Sequence, residues 1–118
     1  MNGPLVAVVD DDPRIRALLG CELEELGAEV LLCREGSELL KAERLEEVTL
    51  VLLDWMMPGL DGAATLQALR QREHLARVVV VTALCDPQVE AEALGGGAAA
   101  MLLKTEAIAQ LPQLLRPE

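Results

Sequence analysis

Four apolar runs in this chain end in residues that can handle a divalent cation and an oxyanion. Leu50-Val51-Leu52-Leu53 stops at Asp54 and then breaks into Trp55-Met56-Met57-Pro58-Gly59. Leu5-Val6-Ala7-Val8-Val9 stops at Asp10-Asp11-Asp12-Pro13. A short apolar run that ends in a carboxylate and a turn signal reads as a buried strand with acid at its carboxyl end. If the two runs are neighbouring parallel strands, their carboxylates crowd at one sheet edge and repel unless a cation joins them. The pattern predicts a divalent-metal site at Asp10 and Asp11 beside a nucleophilic aspartate, Asp54. Val78-Val79-Val80-Val81 leads into Thr82-Ala83, and Met101-Leu102-Leu103 into Lys104, adding a hydroxyl and a cation at strand ends.

The elements that must position these residues alternate along the chain. Strands are predicted over residues 5–9, 29–33, 50–53, 78–81 and 100–103. The all-valine run has no polar alternation, as in parallel strands buried on both faces. Between the strands lie five helical segments. The first covers 13–26, with Asp12 as N-cap, Pro13 at the first helical position, and Ile15, Leu18, Leu19, Leu23 and Leu26 at helical spacing up to Gly27. The second is expected from a Ser37 cap to about residue 45. The third covers 63–72 with Leu66 and Leu69 buried, and the fourth opens at Asp86-Pro87 and fails at Gly95-Gly96-Gly97. The last lies between Thr105 and Arg116, where Pro112 should kink it or delay its start. Strict alternation implies right-handed crossovers and a three-layer α/β/α sandwich. In such folds ligands sit at the carboxyl ends of the strands, where the strand order reverses. All five site residues fall there.

These residues resemble the receiver domain of bacterial response regulators. That family's pattern is a strand ending in an acidic pair, a central strand ending in Asp followed by Met-Pro and a Gly, a strand ending in Thr-Ala and a final strand ending in Lys. Here they are Asp10-Asp11, Asp54 with Met57-Pro58 and Gly62, Thr82-Ala83, and Lys104. The elements occur in the family's order over essentially the whole chain. The resemblance implies a flavodoxin-like, doubly wound five-stranded parallel sheet of order 2-1-3-4-5, with residues 1–118 as one receiver domain. It also implies that Asp54 accepts a phosphoryl group from a histidine kinase or phosphotransfer protein. Mg²⁺ or Mn²⁺ would be held by Asp11 directly, Asp10 through water, Asp54 and the Met56 backbone carbonyl. Thr82 would hydrogen-bond a phosphoryl oxygen, and Lys104 would neutralise the acidic pocket and then pair with the phosphoryl group.

Composition agrees. A length of 118 residues fits one domain, and the apolar fraction of 52% is ample for a core built without Phe or Tyr. The net charge of −10 argues against direct nucleic-acid binding, which needs a basic footprint. Cys21, Cys33 and Cys85 show neither CxxC spacing nor a paired His, so reduced thiols are expected rather than zinc, and Cys85 stands close to the site. No segment reaches the roughly 20 apolar residues of a membrane span, and no signal peptide is visible. The expectation is a cytoplasmic protein without an output domain, and the lone His74 is expected on the surface.

Two departures from the family pattern bear on switching. Met101 stands where many receivers carry Tyr or Phe, and Thr105 where many carry Pro, so a trans peptide is expected. Met101 therefore leaves open an alternative, a degenerate receiver acting as a phosphorylation-independent scaffold. A small phosphohydrolase would need a second acid two residues after the nucleophile, and position 56 is Met. Met56 and Leu84 follow Asp54 and Thr82 by two residues. Both are apolar, which predicts slow loss of any phosphoryl group.

Overall fold

A computed structural model describes residues 3–116 apart from Pro58, Leu60, Leu75 and Cys85. Five strands form one parallel sheet: β1 (Leu5–Val9), β2 (Glu29–Cys33), β3 (Val48–Asp54), β4 (Arg77–Thr82) and β5 (Ala100–Leu103). Their order is β2-β1-β3-β4-β5, as the resemblance implies. The helices between them are α1 (Pro13–Glu25), α2 (Gly36–Leu40), α3 (Gly62–Gln71), α4 (Pro87–Gly95) and α5 (Lys104–Leu114).

Because side chains alternate along a strand, the sheet has two apolar faces. Val6, Val8, Leu50, Leu52, Val79 and Val81 pack with Leu19 and Leu23 of α1 and Ala107 and Leu111 of α5. Ala7, Val9, Val51, Leu53, Val78 and Val80 pack with Leu39 of α2, Leu66 and Leu69 of α3 and Ala93 of α4. This is the expected three-layer sandwich. Each buried Leu or Val contributes about 1.5–3 kcal/mol, so the number of such residues compensates for the missing aromatics.

Register brings the chemistry together. Val9 lies opposite Leu53, so Asp10 and Asp54 follow at the same level. Asp54 lies opposite Val81, and Thr82 opposite Leu103, which precedes Lys104. The strand order reverses between β1 and β3, which places the carboxylates at the switch point.

Asp12 caps α1, its side chain accepting from Arg14 N–H at 2.9 Å. The buried stripe of α1 is narrower than predicted. Ile15, Leu19 and Leu23 face the sheet, whereas Leu18 at its margin and Leu26 at the helix end are exposed. Gly27 stops the helix with φ +93, a conformation that favours glycine.

The second helix and His74 both differ from expectation. The second helix ends at Leu40 rather than near residue 45, and its N-cap is Glu35, whose carboxylate accepts from Ser37 N–H at 2.7 Å. After a turn, Leu45–Glu47 forms a separate 3₁₀ turn that buries Leu45. The Leu45 carbonyl is taken by His74, which is buried rather than on the surface. Its Nε2 lies 2.7 Å from that carbonyl, and its Nδ1 accepts from Ala76 N–H at 3.1 Å. These partners select the tautomer protonated on Nε2. The imidazole thus ties the approach to β3 to the approach to β4.

Pro112 lies inside α5 without delaying its start at Lys104. Glu106 secures that start by accepting from Leu103 N–H at 3.2 Å. The described residues contain no cis peptide.

Gly62 opens α3 against the site. A Cβ there would come within 2.6 Å of Trp55 Cα and 2.7 Å of the Asp54 carbonyl oxygen, both backbone atoms that cannot turn aside. Gly62→Ala is expected to cost about 1–3 kcal/mol in urea unfolding, the range for overpacking. An unchanged midpoint would show that β3 and α3 separate freely.

Candidate functional site

The carboxyl ends of β1 and β3 carry Asp10 and Asp54, both buried, with the exposed Asp11 beside them. One carboxylate oxygen from each of the three lies within 4.8 Å of the others. Lys104 Nζ reaches in from the start of α5, 3.1 Å from Asp10 Oδ2 and 3.4 Å from Asp54 Oδ2. Asp54 Oδ1 accepts from Met56 N–H at 3.3 Å, and Asp10 Oδ1 from Asp12 N–H at 2.9 Å. The Thr82 hydroxyl lies 3.3 Å from the Leu84 carbonyl and 3.4 Å from the Leu84 nitrogen, which fixes the first turn after β4. A cavity of about 300 Å³ opens over these groups, lined by Asp11, Asp12, Asp54, Met56, Thr82, Ala83, Leu84 and Lys104.

Electrostatics follow from this crowding. Burial first, and then the Asp10 carboxylate, push the Asp54 carboxyl from 3.8 up to about 7, against the pull of Lys104 and Met56 N–H. Burial works against the charge of Lys104, but the hydrogen bond to Asp10 and the Asp54 charge outweigh it and hold the ammonium above the ordinary lysine value. One ammonium faces three carboxylates. The donor set consists of hard oxygens, the deficit is positive charge, and the Asp54 carboxyl is held toward its protonated form first by burial and then by Asp10. These residues fit a Mg²⁺-class ion.

Asp10, Asp11, Asp54, Thr82 and Lys104 are therefore gathered at one sheet edge. Asp12, assigned to capping, does cap α1 and also reaches the cavity wall. Met101 stands apart, half-buried against the cluster that holds α2, α3 and α4. Pro58 and Cys85 lie outside the described residues. Cys33 is an inert packing group, its thiol pushed up to about 11 chiefly by burial. One contact has no signal in the sequence: Arg16 of α1 donates to the Asp10 carbonyl at 2.7 Å. No spacing rule marks that arginine among the charged residues of a surface helix.

The family model for the response regulator receiver domain matches residues 6–116. The chain belongs to that family. It is 40% identical over 108 residues to the transcriptional activator protein PfeR of Pseudomonas aeruginosa, an alignment covering 92% of this chain and 35% of PfeR. The chain thus spans about a third of the length of that relative. Part of the sensor histidine kinase GacS of Pseudomonas protegens is 40% identical over 72 residues, 61% of this chain and 8% of the kinase. Among solved structures, the signal receiver domain of the response regulator NarL from Mycobacterium tuberculosis superposes with a TM-score of 0.83 at 30% identity, covering 100% of both chains. The receiver is thus a module of two-component signalling with the flavodoxin-like fold. Among its described residues no helix is long and apolar enough to cross a membrane.

Trp55 offers a built-in reporter for cation binding at the candidate metal site. Its chain position adjoins Asp54, but its ring packs on the α3 side, in a separate cavity of about 460 Å³ with Ala63, Leu66 and Arg70. A change at Asp54 would reach that ring through the backbone that joins the two residues. Mg²⁺ titration is expected to change the signal, and Asp11→Ala to raise the midpoint about tenfold or more, since even outer-shell partners carry that cost. An unmoved midpoint in Asp11→Ala would place the ion elsewhere.

Proposed function

We propose that this receiver is a phosphoacceptor switch: Asp54 takes a phosphoryl group from a histidine kinase or phosphotransfer protein, and the changed surface is read by a downstream target. The observation that carries the reading is the set of three carboxylates within 4.8 Å, with Lys104 Nζ 3.4 Å from the Asp54 oxygen. An ionised Asp54 oxygen attacks phosphorus while the P–N bond of the donor phosphohistidine breaks, its electron pair staying with the imidazole. Asp10, Asp11, Asp54 and the Met56 carbonyl would hold Mg²⁺ or Mn²⁺, which supplies charge stabilisation to the transferring oxygens. Lys104 supplies a second cation from the side of β5, and the Thr82 hydroxyl exchanges its contact with Leu84 for a phosphoryl oxygen. The residues arrange the reaction by position and charge, and the acceptor is the protein's own side chain.

In this reading residues 1–118 form one receiver domain acting in the cytoplasm, with no direct contact to nucleic acid or membrane. The acidic balance of the chain suits a partner with a basic face. Incubation with Mg²⁺ and acetyl phosphate is expected to add the mass of one phosphoryl group, lost at alkaline pH and absent in EDTA. A protein that binds partners but never gains that mass is instead a phosphorylation-independent scaffold.

A further inference from the structure

We propose that Arg16 is a positioning residue for the metal site, holding the acidic turn in the shape that presents Asp11. The inference rests on the metal reading of Asp10, Asp11 and Asp54 above. Asp10 is buried and lies just past the end of β1. Its N–H extends the ladder by one step, donating to the Cys33 carbonyl at 3.1 Å. Its carboxylate accepts from Asp12 N–H and Lys104. Its carbonyl lies beyond the β1–β3 pairing, which ends at Val9 opposite Leu53. The Arg16 guanidinium reaches back from the first turn of α1 and donates to it at 2.7 Å.

Arg16 also holds the other end of the turn. Its own N–H donates to the Asp12 carbonyl at 3.0 Å. The side chain of one residue thus binds the residue before Asp11, and the backbone of the same residue binds the one after it. Asp11 itself is exposed, and its backbone lies between these two anchors. The guanidinium charge is also felt by Glu38 and by the Cys33 thiol. Removing its side chain leaves a carbonyl without this donor and releases one anchor of the metal-binding turn.

Three effects give different results in Mg²⁺ binding to the full chain, followed by calorimetry, with melting temperature in EDTA recorded alongside. If Arg16 positions the turn, Arg16→Gln weakens Mg²⁺ binding about tenfold, the cost of losing an outer-shell partner, and Arg16→Lys weakens it less in the same direction. If Arg16 matters only as a charge near a divalent cation, Arg16→Gln tightens binding, which overturns the proposal. If its role is only structural, Arg16→Gln lowers the melting temperature in EDTA and leaves the Mg²⁺ midpoint in place, which also overturns it. Should Arg16→Gln fail to fold, Arg16→Lys decides alone, because an unchanged or tighter midpoint counts against positioning. A wild type that binds no Mg²⁺ removes the metal reading itself and this inference with it.

Discussion

Asp54→Asn is expected to abolish phosphoryl uptake and, in EDTA at pH 8, to make the fold about 2–4 kcal/mol more stable than the wild type. The first effect follows from losing the carboxylate proposed as nucleophile. The second follows from the cost of ionising that carboxylate among its neighbours. In the folded protein the Asp54 carboxyl is pushed from 3.8 up to about 7, first by burial and then by Asp10. Between those pH values the folded state keeps a proton that the unfolded chain has released. Wild-type stability therefore falls as pH rises from about 4 through about 7, and above that the folded state bears the full penalty. At about 1.4 kcal/mol per unit of displacement the upper limit is about 4 kcal/mol, reduced where the open cavity lets water reach the group. Asn can keep the bond from Met56 N–H without the charge.

Urea unfolding of both proteins in EDTA between pH 5 and pH 8.5 checks this. The wild-type curve should decline across the window, and Asp54→Asn should remove that decline. Parallel curves would sink the electrostatic account, and equal phosphorylation of the Asn variant would sink the assignment of Asp54. A linked result concerns the metal. Proton and cation compete for one carboxylate, so the Mg²⁺ midpoint should fall as pH rises through 7.

Acyl-phosphate decay is expected to accelerate in Met56→Asn or Leu84→Glu by about 10- to 100-fold, at or below the lower end of what a well-positioned acid or base contributes. Met56 and Leu84 both line the cavity over Asp54, and they are 75% and 77% exposed. Side chains that open to solvent do not seal the cavity, so their bulk does little to keep water out. What they lack is chemical, because neither side chain can hold a water by hydrogen bonds for attack on phosphorus. A carboxylate at position 84 or an amide at position 56 supplies that group. The measurement is loss of phosphoryl mass after removal of donor, with Mg²⁺ held constant. If neither variant decays faster, water orientation from these positions does not limit the lifetime.

The sequence by itself determined the strands, the class of fold and which polar groups stand at the strand ends. Apolar runs stopping at Asp10, Asp54, Thr82 and Lys104 are legible because a buried strand needs continuous Val and Leu, and a carboxylate or ammonium must wait for the strand end, where opposite charges and a cavity meet it. Asp12 and Asp86 were readable as caps for a similarly local reason, since each sits directly before Pro. Periodicity is blind to contacts between distant segments, and there the tertiary structure decided. His74 became a buried clasp because the Leu45 carbonyl lay within its reach, and the same contact accompanies the early end of α2. Gly62 matched a motif, but its reason is the backbone of Trp55 and Asp54 pressed against it. The rise of the Asp54 carboxyl to about 7 required Asp10 to be brought alongside by the register of β1 and β3. Arg16 found the Asp10 carbonyl only because the turn after β1 folds back toward the helix that carries it. Side-chain type and local order can be read along a chain, whereas charge crowding and backbone partners exist only once separate segments share a volume.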